Sequence, residues 1–200
     1  LLTDYYNLYS NSHLFPAGDL RDIKKAAQRA DIIVATKSPN VITPYYRRDV
    51  EGSLKLLPHQ KIFYSYIEYL DFKPLSKASH EVDIKEAKTA LILCGIANTY
   101  SLEDYIKRKY NTVSTVKFSD HHNFTKKDVD TIIEKYNSLI GKSKVIITTE
   151  KDAMRLMNSS FLNRFDDIPV FVLPIKIKFH KEEGTSFDDE ILNYINNSLK

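Results

Sequence analysis

The feature that most constrains this chain is a repeated alternation: short β-branched, wholly apolar runs separated by stretches with helical spacing. Ile32-Ile33-Val34, Ala90-Leu91-Ile92-Leu93-Cys94, Val145-Ile146-Ile147 and Val170-Phe171-Val172-Leu173 carry no polar residue on either side of a period-two pattern. A strand apolar on both faces must be covered on both faces, which is the condition of a parallel sheet in an α/β protein. Between them Val129, Ile132, Ile133, Tyr136 and Leu139 recur at three and four residues, one stripe of a helix. The chain is therefore expected to fold as α/β, with parallel sheets and flanking helices.

The opening Leu1-Leu2-Thr3-Asp4-Tyr5 resembles the second half of a buried strand, and it suggests that the chain is a piece of a longer protein. Asp22 to Ala30 reads as a short helix, Asp31 to Ala35 as a strand, and Thr43-Pro44 as the cap and first residue of a helix towards Leu57. Ile62 to Ile67 is an aromatic-rich strand, and Leu70 to Lys88 lacks either period. Then come strand 90–94, a helix from Ser101 as N-cap to Tyr110, strand 113–118, the helix capped by Thr125, strand 144–148, helix 152–157, strand 170–173 and a last helix near 187–199. These divisions suggest three regions, 1–60, a connecting 61–88 and 89–200.

Composition removes several function classes. Basic and acidic residues number 29 and 26, too even for the concentrated basic face of a nucleic-acid binder. The single Cys94 excludes an internal disulfide framework. The longest apolar run, Ala90 to Ala97, is far shorter than the roughly 20 residues of a membrane-crossing helix. There is no Gly-x-x-x-x-Gly-Lys-Ser/Thr phosphate loop, no Gly-x-Gly-x-x-Gly and no Gly-x-Ser-x-Gly elbow.

Ligands of open parallel sheets bind at the carboxyl ends of strands, so the polar residues that directly follow the apolar runs are the candidates. Asp120-His121-His122 places a carboxylate beside an imidazole, a pair able to orient a base or hold a metal; a solvated turn is the plain alternative, and for His122 a structural role is favoured. Thr149, Lys151 and Asp152 either cap a helix or approach a nucleotide. Gly95 marks a tight turn or a close approach. Lys37, directly after its strand, and Arg21, in the Phe15 to Arg21 loop, are cations able to meet phosphate.

Taken in order, Leu2-Thr3-Asp4-Tyr5, Phe15-Pro16-Ala17-Gly18-Asp19-Leu20-Arg21, Arg29 to Lys37, Gly95-Ile96-Ala97-Asn98, Phe118 to Phe124 and Thr148 to Ala153 resemble the tetraacyldisaccharide 4'-kinase family over roughly its C-terminal three-fifths. The resemblance implies a P-loop-kinase-like protein of two α/β lobes joined by a β-linker. Residues 1–60 would be the remainder of the nucleotide-binding lobe, and 89–200 a complete Rossmann-like C-terminal lobe. It implies transfer of the γ-phosphoryl of ATP, with Mg2+, to the 4'-hydroxyl of a tetraacyldisaccharide 1-phosphate lipid, and peripheral association with the cytoplasmic face of the inner membrane. The family's phosphate loop and its Asp-Asp-Gly-x-Gln-His segment, with the catalytic aspartate, precede the stretch matched here, and ATP and Mg2+ would be bound mainly by them. Asp120 and His121 match the family's Asp-His motif, His121 being the imidazole that pairs with that aspartate. Lys37, Thr149, Lys151 and Asp152 are placed by position near nucleotide, and Arg21 near the lipid substrate. The isolated 200 residues are expected to be inactive. Two other readings are a metal-dependent phosphoesterase with Asp120-His121-His122 as ligands, and a non-catalytic α/β binding module.

Overall fold

A computed structural model of the chain describes residues 1–96, 99–120, 122–141, 143–157, 161–181 and 186–198. Its strands are β1 (Leu2–Asp4), β2 (Ile32–Ser38), β3 (Lys61–Tyr69), β4 (Lys73–Pro74), β5 (Thr89–Cys94), β6 (Thr112–Lys117), β7 (Lys144–Thr149), β8 (Val170–Leu173) and β9 (Ile175–Phe179); its α-helices are α1 (Pro44–Leu54), α2 (Tyr100–Lys107), α3 (Lys126–Ser138), α4 (Glu150–Met157) and α5 (Phe187–Ser198). They fall into two compact units, Leu1–Glu68 with Ile175–Lys200, and Tyr69–Pro174.

In the second unit the strand order is β4-β8-β7-β5-β6, with β8, β7, β5 and β6 parallel and the two-residue β4 antiparallel at one edge. All six residues of β5 are buried, and its pleat divides them between two cores. Ala90, Ile92 and Cys94 pack with Leu102 and Ile106 of α2. Leu91 and Leu93 pack with Val129 and Ile132 of α3 and Leu156 of α4. The unbroken apolar run at 90–94 is thus the signature of a strand with helices on both sides, each fully buried Leu or Ile contributing roughly 1.5–3 kcal/mol. α3 begins at a full capping box: Thr125 accepts from the Asp128 amide, and Asp128 accepts from the Thr125 amide.

In the first unit the order is β1-β2-β3-β9, with β1, β2 and β3 parallel. Ile33, Ala35, Val50, Leu54 and Tyr64 form its core. Thr43 caps α1 through the Tyr46 amide, with Pro44 at the first helical position. The β2–β3 register shifts between Ala35 and Ser38, and Lys37, inside that irregularity, has φ +58°.

The two units do not coincide with the three ranges expected from sequence. Residues 61–69 form the third strand of the first sheet, and β9 and α5 belong to the first unit. β9 follows β8 after the single residue Pro174, yet it joins the other sheet, and only long-range pairing decides that. Two local readings also shift. The short helix read over Asp22 to Ala30 is a 3₁₀ helix over Lys24–Arg29. α2 starts two residues early, with Thr99 at the N-cap, so Ser101 lies inside the helix.

Candidate functional site

In the second unit the chain passes from β5 to β6 on one side and then crosses to β7 on the other. The order reverses between β5 and β7, and the carboxyl ends of those two strands are where an open α/β sheet presents its crevice. Leu93 is in register with both Val116 and Thr148, which brings Gly95, Phe118 and Thr149 to the same end of the sheet.

Asp152 organises that end. It is 1% exposed, and both its oxygens are engaged. The Gly95 amide donates to Oδ2 at 2.9 Å, the Thr149 hydroxyl donates to the same oxygen at 2.8 Å, and Arg155 Nη1 donates to Oδ1 at 3.1 Å. The Asp152 amide in turn donates to Thr149 Oγ1 at 3.1 Å. Thr149, directly before α4, thus accepts the helix amide of Asp152, while the Asp152 carboxylate accepts from the Thr149 hydroxyl. Helix capping therefore describes Thr149, and the Asp152 carboxylate is engaged by groups other than the helix amides. The Asp152 carboxylate is buried and accepts from three protein donors. Gly95 is needed for the same contact: a Cβ there would lie 3.1 Å from both Asp152 Oδ1 and the Ser119 carbonyl oxygen. Next to it, burial, with Asp152 and Glu103 adding to the effect, pushes the Cys94 thiol up to about 11, so the lone cysteine is held as a neutral thiol.

Asp120 lies just beyond β6, on the next loop over. Lys151 Nζ donates to its Oδ1 at 2.5 Å, with the two side chains 42% and 40% exposed. The structure thus brings together Asp120 and Lys151, residues read as parts of two separate motifs, at a solvent-accessible point beside the switch. A carboxylate facing an ammonium is poorly prepared to ligate a cation, which argues against the phosphoesterase reading. Among the described residues no three His, Cys, Asp or Glu side chains gather as metal ligands. His121, the imidazole of the motif, lies outside the described residues, as do Ala97 and Asn98.

His122 is structural. Its ring stacks on Phe118 at 4.7 Å, and Nε2 lies 2.9 Å from Asp128 Oδ2, the carboxylate that closes the capping box of α3. Burial works to raise the Asp128 pKa, but the hydrogen bonds from Thr125 and His122 outweigh it and hold the carboxyl below its ordinary range. The residues on both flanks of Asp120-His121 are thereby fixed to the sheet by Phe118 and to α3 by His122.

Arg21 and Lys37 belong to the first unit. Arg21 is exposed and forms no ion pair among the described residues. Lys37 Nζ donates to Asp4 Oδ2 at 2.9 Å, across neighbouring parallel strands. A non-glycine residue held at φ +58° marks a place where the fold accepts backbone strain. Sequence reading missed the cluster beside it. Ser38 Oγ donates to the Ser65 carbonyl at 3.1 Å and lies 3.0 Å from His180 Nε2, which also reaches the Pro39 carbonyl at 3.0 Å. Because a carbonyl only accepts, that contact calls for the proton on Nε2. Residues 38 and 180 are 142 positions apart, and no local signal joins them.

Three comparisons bear on these residues. The family described as LpxK, tetraacyldisaccharide-1-P 4'-kinase, matches residues 1–196. Proteins named tetraacyldisaccharide 4'-kinase from Bacteroides thetaiotaomicron and Flavobacterium johnsoniae are 30% and 34% identical to the chain over its whole length. A third, from Parabacteroides distasonis, is 33% identical over the same extent. The chain spans 55% of the length of each of these relatives. A crystal structure of "apo" form LpxK from Aquifex aeolicus in complex with ATP, at 2.2 Å resolution, is 21% identical, with a TM-score of 0.49 over 92% of this chain and 48% of that one.

Proposed function

Because the chain belongs to the tetraacyldisaccharide-1-P 4'-kinase family, we propose that it forms part of a lipid A 4'-kinase, and that it supplies the Asp-His side of the phosphoryl-transfer site. The reaction moves the γ-phosphoryl of ATP, with Mg2+, to the 4'-hydroxyl of a tetraacyldisaccharide 1-phosphate at the cytoplasmic face of a Gram-negative inner membrane. Phosphoryl transfer asks a protein mainly for positioning and charge neutralisation, with a base to take the hydroxyl proton. The observation that carries the proposal is the family match from the first residue to residue 196.

Within that reading each residue has a defined task. His121 pairs with the catalytic aspartate supplied by the part of the relatives that this chain does not span, fixing its orientation and raising its basicity. Asp120 sets the loop that carries the imidazole, and its pair with Lys151 holds that loop against the N-terminal turn of α4. Lys37 and Lys151 approach phosphate oxygens of the nucleotide, and Arg21 the phosphorylated lipid. Thr149 and Asp152 support from within, as the rigid floor under Lys151. Nucleotide and Mg2+ are held mainly by the unspanned part, so no metal step is assigned to this chain.

The test compares two proteins for transfer of ³²P from γ-labelled ATP to tetraacyldisaccharide 1-phosphate. One is the 200-residue chain; the other joins it to the part of the Flavobacterium johnsoniae relative that it does not span. Turnover by the joined protein and none by the chain alone is expected. Turnover by the chain alone overturns the division of labour, and an inactive, folded joined protein overturns the kinase assignment.

A further inference from the structure

The first unit contains a cavity of about 540 Å³ lined by residues 9–11, 24, 25, 27, 28, 53–55, 57 and 60. These segments include the ones that directly precede β2 and β3, whereas Lys37 lies at the carboxyl end of β2. A volume of this size is that of a small-molecule site. Its lining contains three cations, Lys24, Lys25 and Lys55, and no carboxylate. Lys24 Nζ donates to the Ser10 carbonyl at 2.6 Å, which fixes one ammonium in the wall and leaves two of its three donors. Neither Lys25 nor Lys55 pairs with a carboxylate among the described residues. Folding therefore gathers positive charge around a concavity without neutralising it.

Two further observations show a wall that is built rather than incidental. Lys55 ends α1 with φ +52°, a left-handed conformation that glycine adopts freely and lysine does not. That turn directs the chain into Leu57-Pro58, and a strained non-glycine residue in the lining of a cavity is a functional hypothesis. Behind it Gln60 is locked on three sides: its Nε2 donates to the Ala27 and Ala30 carbonyls at 2.8 and 2.7 Å, and its Oε1 accepts from the Leu57 amide at 3.0 Å. One side chain thus ties the 3₁₀ turn carrying Lys24 and Lys25 to the segment that follows Lys55.

We propose that this cavity is a binding site for a phosphate monoester. Such a group carries close to two negative charges and three acceptor oxygens near neutral pH, matching three ammonium donors, while the exposed amides of Asn11 and Gln28 in the same lining suit hydroxyls of the attached alcohol. The proposal does not depend on the phosphoryl-transfer reading, since none of these residues takes part in it.

The experiment follows backbone amide shifts of the 200-residue chain by NMR during titration with glucose 1-phosphate, with glucose as the neutral control. Vesicles of phosphatidylcholine with and without phosphatidic acid are tested in parallel by co-sedimentation. The variant is Lys25→Gln with Lys55→Asn, both exposed positions, asparagine being chosen because it tolerates the left-handed backbone. Saturable shifts at residues 11, 25 and 55 with glucose 1-phosphate, absent with glucose and at least tenfold weaker in the variant, are expected. Vesicle binding that requires phosphatidic acid and both lysines, without a response to the soluble ester, also supports a phosphate monoester site and identifies a lipid headgroup as its source. Unchanged affinity in a variant whose spectrum is otherwise native, or no response to either form of the ester, overturns the proposal.

Discussion

Asp152, in the first turn of α4, and Asp120, on the loop after β6, stand 32 positions apart, and their surroundings give them opposite properties. Asp152 is enclosed with Arg155, whose side chain is 16% exposed, so removing the carboxylate takes its ion-pair acceptor from a nearly buried guanidinium and the acceptor of the Gly95 amide. Asp152→Ala is expected to cost about 2–3 kcal/mol, somewhat below the figure for a fully buried pair because Arg155 partly reaches water. Lys151→Gln breaks a pair exposed by about two-fifths and should cost no more than about 1 kcal/mol. Urea midpoints at unchanged m-value separate the two cases. Cys94 is a third contrast. Its thiol, at about 11, is almost wholly protonated at pH 8, and its side chain is buried. Iodoacetamide should label it only at the rate of unfolding, and prompt labelling of the native protein would contradict this.

At the level of elements, the capping box of α3 joins local sequence to the candidate site, because Asp128 serves both the helix amides and His122. Thr125→Ala should cost about 1 kcal/mol, measured by denaturation. The acid dependence has a defined sign. Asp128 has a folded-state pKa below its unfolded value, so its contribution is complete above the ordinary aspartate range and is lost as pH falls through the folded value. Stability measured from pH 6 down to pH 2 should fall below about pH 4, and part of that fall should vanish in Asp128→Asn. Persistence of the full acid loss in the variant would assign it to other carboxylates. Elements covered on two faces were legible because burial leaves an unbroken apolar run, as in β5, β7 and β8. β9 was not. Its Ile175-Lys176-Ile177-Lys178-Phe179 alternates like a strand, but it lies at a sheet edge with Ile175 and Ile177 exposed, and its place beside β3 is fixed by residues more than a hundred positions away. The start of α2 shifted for a different reason: Thr99 and Ser101 are both cap formers, and neither caps the helix amides through its side chain. Thr99 instead donates to Glu103 at 2.8 Å.

For the molecule as a whole, the α/β class and the family were legible from short motifs at strand ends, where backbone geometry restricts which residues are tolerated. The division into units was not, because the chain leaves the first sheet after β3 and returns to it at β9. Of the site, Asp120 and Lys151 were each singled out in separate motifs, while their pairing and the burial of Asp152 under Gly95 needed the third dimension. No helix among the described residues is long and apolar enough to cross a membrane. On the function proposed above, the Asp120-His121 loop completes a phosphoryl-transfer site with a carboxylate from the part of the relatives that this chain does not span. The most direct measurement of that role is the kcat of the joined protein with and without His121→Ala, taken with KM for ATP. A fall in kcat of about 10²-fold or more, the scale of losing a partner in acid–base catalysis, is expected, with KM changed only a few-fold. A kcat within a few-fold of the parent protein would contradict it.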